Sequence, residues 1–156
     1  DSRSGTEVRD FLESKKVNDS RYKVIENVWV TGAKQKQFLL KNMTGDWLLF
    51  LDSDEVLDDN AWIIRKAIEE KEINTFSIMG HHYIYDLKRE DNTEENHVWV
   101  LRLVRRMPGL CFEGENHALL CNAYMPHGVI WQTRIHHFGY VKHLAEVMEI
   151  ANRNRN

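Results

Sequence analysis

Five apolar residues in a row, Trp47-Leu48-Leu49-Phe50-Leu51, run straight into Asp52, Asp54 and Glu55. The run follows Gly45, a residue type that ends helices. Its lack of polar alternation predicts a short strand covered on both faces, as in a parallel α/β sheet. A strand of that kind is a poor place for incidental charge. The three carboxylates that close it therefore ask for a counterpart.

The flanking segments fit the same architecture. Ser4-Gly5-Thr6-Glu7 has the spacing of a capping box, and Val8, Phe11 and Leu12 follow at helical intervals, predicting a helix through about Ser14. Arg21 to Val30 holds Tyr22, Val24, Ile25, Val28, Trp29 and Val30, a β-branched and aromatic stretch that predicts a strand. A second helix is expected over Ala33–Met43. A third is expected after Asp58 or Asp59, with Ile64, Ala67 and Ile68 on its apolar face. Helix, strand, helix, strand, helix over the first part of the chain argues for α/β layers around a mostly parallel sheet.

The second part changes character. Strands are expected over 75–85, 97–106 and 129–136, with a turn at Pro108-Gly109 and a closing helix over 142–151. Lys88 to Asn96 reads as a charged, solvated loop.

The totals narrow the function. The chain has 156 residues, 42% hydrophobic and 29% charged, with a net charge of −3. That balance gives no general affinity for nucleic acid, and none is expected as a partner. No apolar run approaches the ~20 residues that span a bilayer. The cysteines, Cys111 and Cys121, have no metal-like spacing and read as reduced thiols, with a cytoplasmic location as the expectation.

Ligands of parallel α/β sheets bind beyond the carboxyl ends of the strands. If the extended form persists through Ser53, Asp52 and Asp54 point the same way. Two converging carboxylates call for a cation, and Mg²⁺ with phosphate co-ligands fits. Asp58 and Asp59 read as helix caps. A calcium EF-hand is excluded, because Leu57 and Ile63 stand where Gly and Glu are needed. "LLFLDSDEVL" also satisfies the opening motif of haloacid-dehalogenase-type phosphatases, in which Asp52 would be the nucleophile. Those enzymes need a later acidic pair, and no Asp follows Asp91.

Several blocks together carry a resemblance. "KQFLLKNMTGDWLLFLDSDEVLDDNAW" resembles the metal-binding segment of family 2 glycosyltransferases of the GT-A fold. "DSRSGT" is similar to their nucleotide-side loop, "RLVRRMPGLCFEGENHALL" to their Arg-Leu-x-Arg-Arg and Phe-x-Gly-x-x-His-Glu block, and "IHHFGY" to a His-x-Gly-Tyr element. The order and spacing of the blocks cover most of the chain.

The resemblance implies a GT-A-like, Rossmann-like three-layer α/β/α sandwich with a mostly parallel central sheet. It implies an inverting enzyme that moves a sugar from a nucleotide diphosphate sugar to a glycan, lipid-linked or protein acceptor, with Mg²⁺ or Mn²⁺. Asp52, Asp54 and His137 become the metal ligands, and Asp1, Asp52, Arg102 and Arg105 the donor-binding residues. The alternative for the arginines is plain strand-face charge. His136 is expected to face away from His137, and Trp99 and Trp131 to stack on sugars or fill the core. A peripheral place at the inner face of a membrane is compatible with lipid-linked acceptors.

Where the family often has Glu as general base, this chain has Ala118. Glu115 and His117 are the catalytic candidates in its stead, with Glu113 a further carboxylate. A domain that binds the donor without turning it over is the alternative. The family's first strand and helix, which hold the nucleobase, would precede Asp1. The expectation is therefore one glycosyltransferase-like domain over 1–156, partial at its amino terminus and part of a longer chain. Residues 1–72 would form its nucleotide-sugar and metal half and 73–156 its acceptor half.

Overall fold

The computed structural model describes residues 6–84, 98–114, 118–123 and 125–140. Along them run α1 (Thr6–Asn18), α2 (Gly32–Asn42), β1 (Trp47–Leu49), β2 (Glu55–Leu57), a 3₁₀ turn (Asp59–Trp62), α3 (Ile63–Ala67), β3 (Thr75–Ile84), β4 (Val98–Arg105), β5 (Cys111–Glu113), β6 (Leu119–Cys121) and β7 (His127–Tyr140). They fall into two units, one drawn from residues 1–44 and 108–122, the other from 45–107 and 123–156. Asp1, the Lys88–Asn96 loop and the helix expected over 142–151 lie outside the described residues.

The described residues of the larger unit hold a five-stranded sheet in the order β1-β4-β3-β7-β2. Among the described residues only β3 and β7 run parallel; the pairs β1–β4, β3–β4 and β2–β7 are antiparallel. The sheet is mixed, which corrects the expectation of a mostly parallel one. Nor is β1 interior: among the described residues it has one neighbour, β4. The reason lies in the inference itself. A continuous apolar run reports burial, and Leu48 is 1% exposed, but burial on both faces does not specify the direction of the neighbouring strand. The sheet also unites β1 and β2 with β3, β4 and β7, across the expected boundary between residues 72 and 73.

The core is built around β3, the central strand. Thr75 to Ile78 are all buried, so both faces are covered. Phe76, Ile78, Leu103, Ile130 and Ile135 form its centre, and Ile63, Ile64, Ala67 and Ile68 press the expected helical face of α3 against it. Asp58 caps the 3₁₀ turn by accepting from the Asn60 N–H at 3.0 Å, and it also accepts from the Thr133 hydroxyl at 2.6 Å. The capping role read from the sequence is thus joined to β7. Register along β7 is irregular: Ile78 faces Ile130, but Met79 faces Arg134. The residues between, Trp131 to Thr133, bulge from the ladder. Trp131 is 68% exposed and meets the half-buried Trp99 edge-on at 4.4 Å, so Trp131 lies outside the core.

In the smaller unit, Thr31 caps α2, its hydroxyl accepting from the Lys34 N–H at 3.2 Å. β5 and β6 pair as an antiparallel hairpin, and the Phe112 N–H donates to Gln37 of α2 at 2.7 Å. The strand expected over Arg21–Val30 is not formed. Arg21 instead closes a turn on Asp19, its guanidinium bonding the carboxylate at 2.6 and 2.9 Å. Those bonds hold the Asp19 carboxyl below its ordinary range. Further on, Gln35 donates to the Val28 carbonyl at 2.9 Å, while Val28, Trp29 and Val30 stay exposed. β-propensity is a preference for a pleated, half-buried surface, and without a partner strand it does not make a ladder.

Ile78, fully buried at the centre of the core, gives a direct check on this packing. Truncation to alanine should cost about 2–5 kcal/mol, read as a lower urea midpoint at unchanged m-value.

Candidate functional site

The acidic run does not stay extended. Asp52 and Glu55 close a turn on each other: the Glu55 N–H donates to the Asp52 carbonyl at 3.1 Å, and the Asp52 N–H donates to the Glu55 carboxylate at 2.8 Å. Arg102 holds this turn from β4. The β1–β4 pairing places it there, because Leu49 faces Leu103 and the Phe50 N–H reaches the Arg102 carbonyl at 2.9 Å. Its guanidinium pairs with Glu55 and, at 3.4 Å, with Asp52. The Arg102 and Glu55 side chains are 13% and 6% exposed, so this ion pair is largely enclosed.

The turn separates the two aspartates, a correction to the expectation that both point the same way. Asp52 turns toward Arg102. Asp54 turns toward β7, its carboxylate 3.4 Å from His137 Nε2. The sheet brings residues 54 and 137 together. Glu55 of β2 faces His137 in register, and the Phe138 N–H donates to the Asp54 carbonyl at 2.9 Å. On the next strand, His82 faces His137, and their Nδ1 atoms are 2.8 Å apart.

That contact constrains the imidazole. One Nδ1 donates and the other accepts. If His137 donates there, its Nε2 carries a lone pair aimed at the Asp54 side, ready for a cation. If His137 accepts, its Nε2–H faces the Asp54 carboxylate. His136 faces oppositely, as expected, with Nδ1 2.8 Å from the Tyr83 hydroxyl.

Gly139 completes the arrangement. A Cβ there would stand 2.6 Å from Asp54 Oδ2 and 2.7 Å from His137 Nε2. The glycine of the His-x-Gly-Tyr element therefore leaves room for the carboxylate–imidazole pair. A mixed set of one carboxylate and one imidazole fits a divalent ion that keeps waters and phosphate oxygens, and suits Mn²⁺ better than Mg²⁺.

The other sequence candidates divide. Arg105 is engaged away from the acidic turn: it lies over Trp47 at 4.6 Å and donates to the carbonyls of Glu70 and Ile73, both at 3.2 Å. Asp1, Glu115 and His117 lie outside the described residues, while Ala118 directly precedes β6. His82 was missed by sequence reasoning. The signal was the pair His81-His82 inside an expected strand, but only the β3–β7 register shows which of the two meets His137.

The Arg102–Glu55 pair should behave as a coupled unit. Arg102→Met leaves Glu55 buried without its cation and should destabilise by about 3–5 kcal/mol, whereas the double change with Glu55→Gln should recover much of the loss. A denaturant double-mutant cycle measures this.

A comparison with curated proteins finds no match. A comparison with protein families matches residues 1–138 to "Glycosyl transferase family 2". The match takes in the Asp52–Glu55 turn, Arg102, the β5–β6 hairpin and His137, and with it the phosphatase reading of Asp52 falls away. The chain belongs to glycosyl transferase family 2, with the GT-A fold which that membership implies, and is a glycosyltransferase domain.

Proposed function

We propose that this domain transfers a sugar, with inversion, from a nucleotide diphosphate sugar to a hydroxyl of a glycan, lipid-linked or protein acceptor. The observation that carries the proposal is the meeting of Asp54 and His137 at 3.4 Å over a glycine. Asp54 and His137 would hold Mn²⁺ or Mg²⁺, and Asp52 and Arg102 would border the donor. The ion, when bound, supplies Lewis-acid stabilisation of the leaving diphosphate.

The chain's own part is positional and acid–base. Asp54 is fixed by the closed turn behind it, and His137 is oriented by His82. The acceptor oxygen attacks the sugar carbon from the face opposite the diphosphate. The new carbon–oxygen bond forms as the bond to phosphate breaks, and the acceptor proton passes to a base, for which Glu115, His117 and Glu113 are the candidates. A domain that binds the donor without turnover is the second reading, favoured by Ala118 at the family's usual Glu position. Among the described residues no helix is long and apolar enough to cross a membrane, and a lipid-linked acceptor would be met at a membrane surface.

Donor turnover in Mn²⁺, assayed across a panel of nucleotide diphosphate hexoses, separates these readings. Asp54→Asn should lower transfer or donor hydrolysis by about 10²-fold or more. Gly139→Ala, which pushes the pair apart, should lower it at least about tenfold while leaving the protein folded. Donor binding with no turnover in the unaltered protein would establish the non-catalytic reading.

A further inference from the structure

The β5–β6 hairpin holds a second constellation, remote in chemistry from the acidic turn. Cys111 and Cys121 face each other in register across the two strands. Glu113, two residues on from Cys111, shares its face of β5. The Cys111 and Cys121 sulfurs and a Glu113 carboxylate oxygen all lie within 4.8 Å of one another, and among the described residues no other group of three His, Cys, Asp or Glu side chains does so. Donor atoms on a tetrahedral ion with bonds of ~2.0–2.3 Å stand roughly 3.3–3.8 Å apart, so small side-chain rotations close the set. Cys111 Sγ and Glu113 Oε1 are already at 3.8 Å.

We propose that Cys111, Cys121 and Glu113 form a binding site for a thiophilic divalent cation of the Zn²⁺ class, with water in the fourth position. Two neighbours favour ligation over a simple disulfide. Asn122, held at a positive φ of 59°, donates its amide to Cys111 Sγ at 3.7 Å and to the Gly109 carbonyl at 2.9 Å. An N–H aimed at sulfur supports a thiolate, in the way outer partners support metal ligands. A disulfide joins two sulfurs and gives Glu113 no part.

On binding, each thiol releases its proton to solvent as the sulfur–metal bond forms. Two thiolates and one carboxylate against a doubly positive ion leave one net negative charge. The cation would clamp both strands of the hairpin whose connection carries Glu115 and His117. It would also engage Glu113, leaving those two as the candidate bases.

The test is a Co²⁺ titration of the reduced, metal-free chain. The expected result is a one-to-one thiolate-to-cobalt charge-transfer band, displaced by Zn²⁺, abolished in Cys121→Ser and unchanged in Asp54→Ala. Glu113→Gln, nearly isosteric and safe for the fold, should weaken Zn²⁺ binding at least about tenfold. Absence of the band, or its persistence in Cys121→Ser, overturns the proposal. So does a chain in which oxidised glutathione closes a Cys111–Cys121 disulfide while Co²⁺ gives no band, which would make the pair a redox staple. None of these outcomes depends on donor turnover.

Discussion

A largely enclosed guanidinium decides the geometry of the acidic run. Without Arg102, Glu55 would be a nearly enclosed carboxylate with no cation, a state costly enough to reshape the segment. With it, Glu55 stays folded back onto the Asp52 N–H, and the chain turns where an extended strand would have carried on. That turn sends Asp52 toward Arg102 and Asp54 toward β7. The charges at the strand end therefore divide their labour: Glu55 and Arg102 hold the backbone, and Asp54 is presented to His137.

The second constraint is the pairing of β7 with two partners of opposite direction. It runs parallel to β3 and antiparallel to β2. Only a strand between those two can set His137 beside both His82 and Asp54. The bulge over Trp131–Thr133 contributes by resetting the register midway, so that Ile130 still packs in the core while the later residues come level with His82. Bulges near functional sites often re-aim side chains in this way. Gly139 then has a steric duty: the carboxylate and imidazole occupy the space a side chain would take.

Much was legible before any coordinates. The helix over Ala33–Met43, the apolar stripe of the helix after Asp58 or Asp59 with a cap from one of that pair, the strands over 75–85, 97–106 and 129–136 and the opposed facing of His136 and His137 all follow from local periodicity and hydrogen-bond chemistry; the cap on α2 by Thr31 and the extension of the last strand to 127–140 were not among them. The strand over Arg21–Val30 failed because a ladder needs a partner and propensity cannot supply one. The parallel sheet failed because a short apolar run signals burial without signalling direction. Arg105 looked like a phosphate brace by its neighbourhood in the sequence. Its actual ligands are backbone carbonyls after α3, which no spacing rule could indicate.

The sequence by itself determined the family and the residue types gathered at the site, since the order of the acidic run, the arginine block and the His-x-Gly-Tyr element survives without knowledge of distances. Among the described residues it also placed the three helices, because helical bonds are local. Tertiary structure alone decided which aspartate meets the histidine, that Arg102 serves the turn, and that Cys111, Glu113 and Cys121 share one face. Those outcomes depend on register between strands far apart in the chain. Register is set by the summed packing of a whole sheet, which no short stretch of sequence contains.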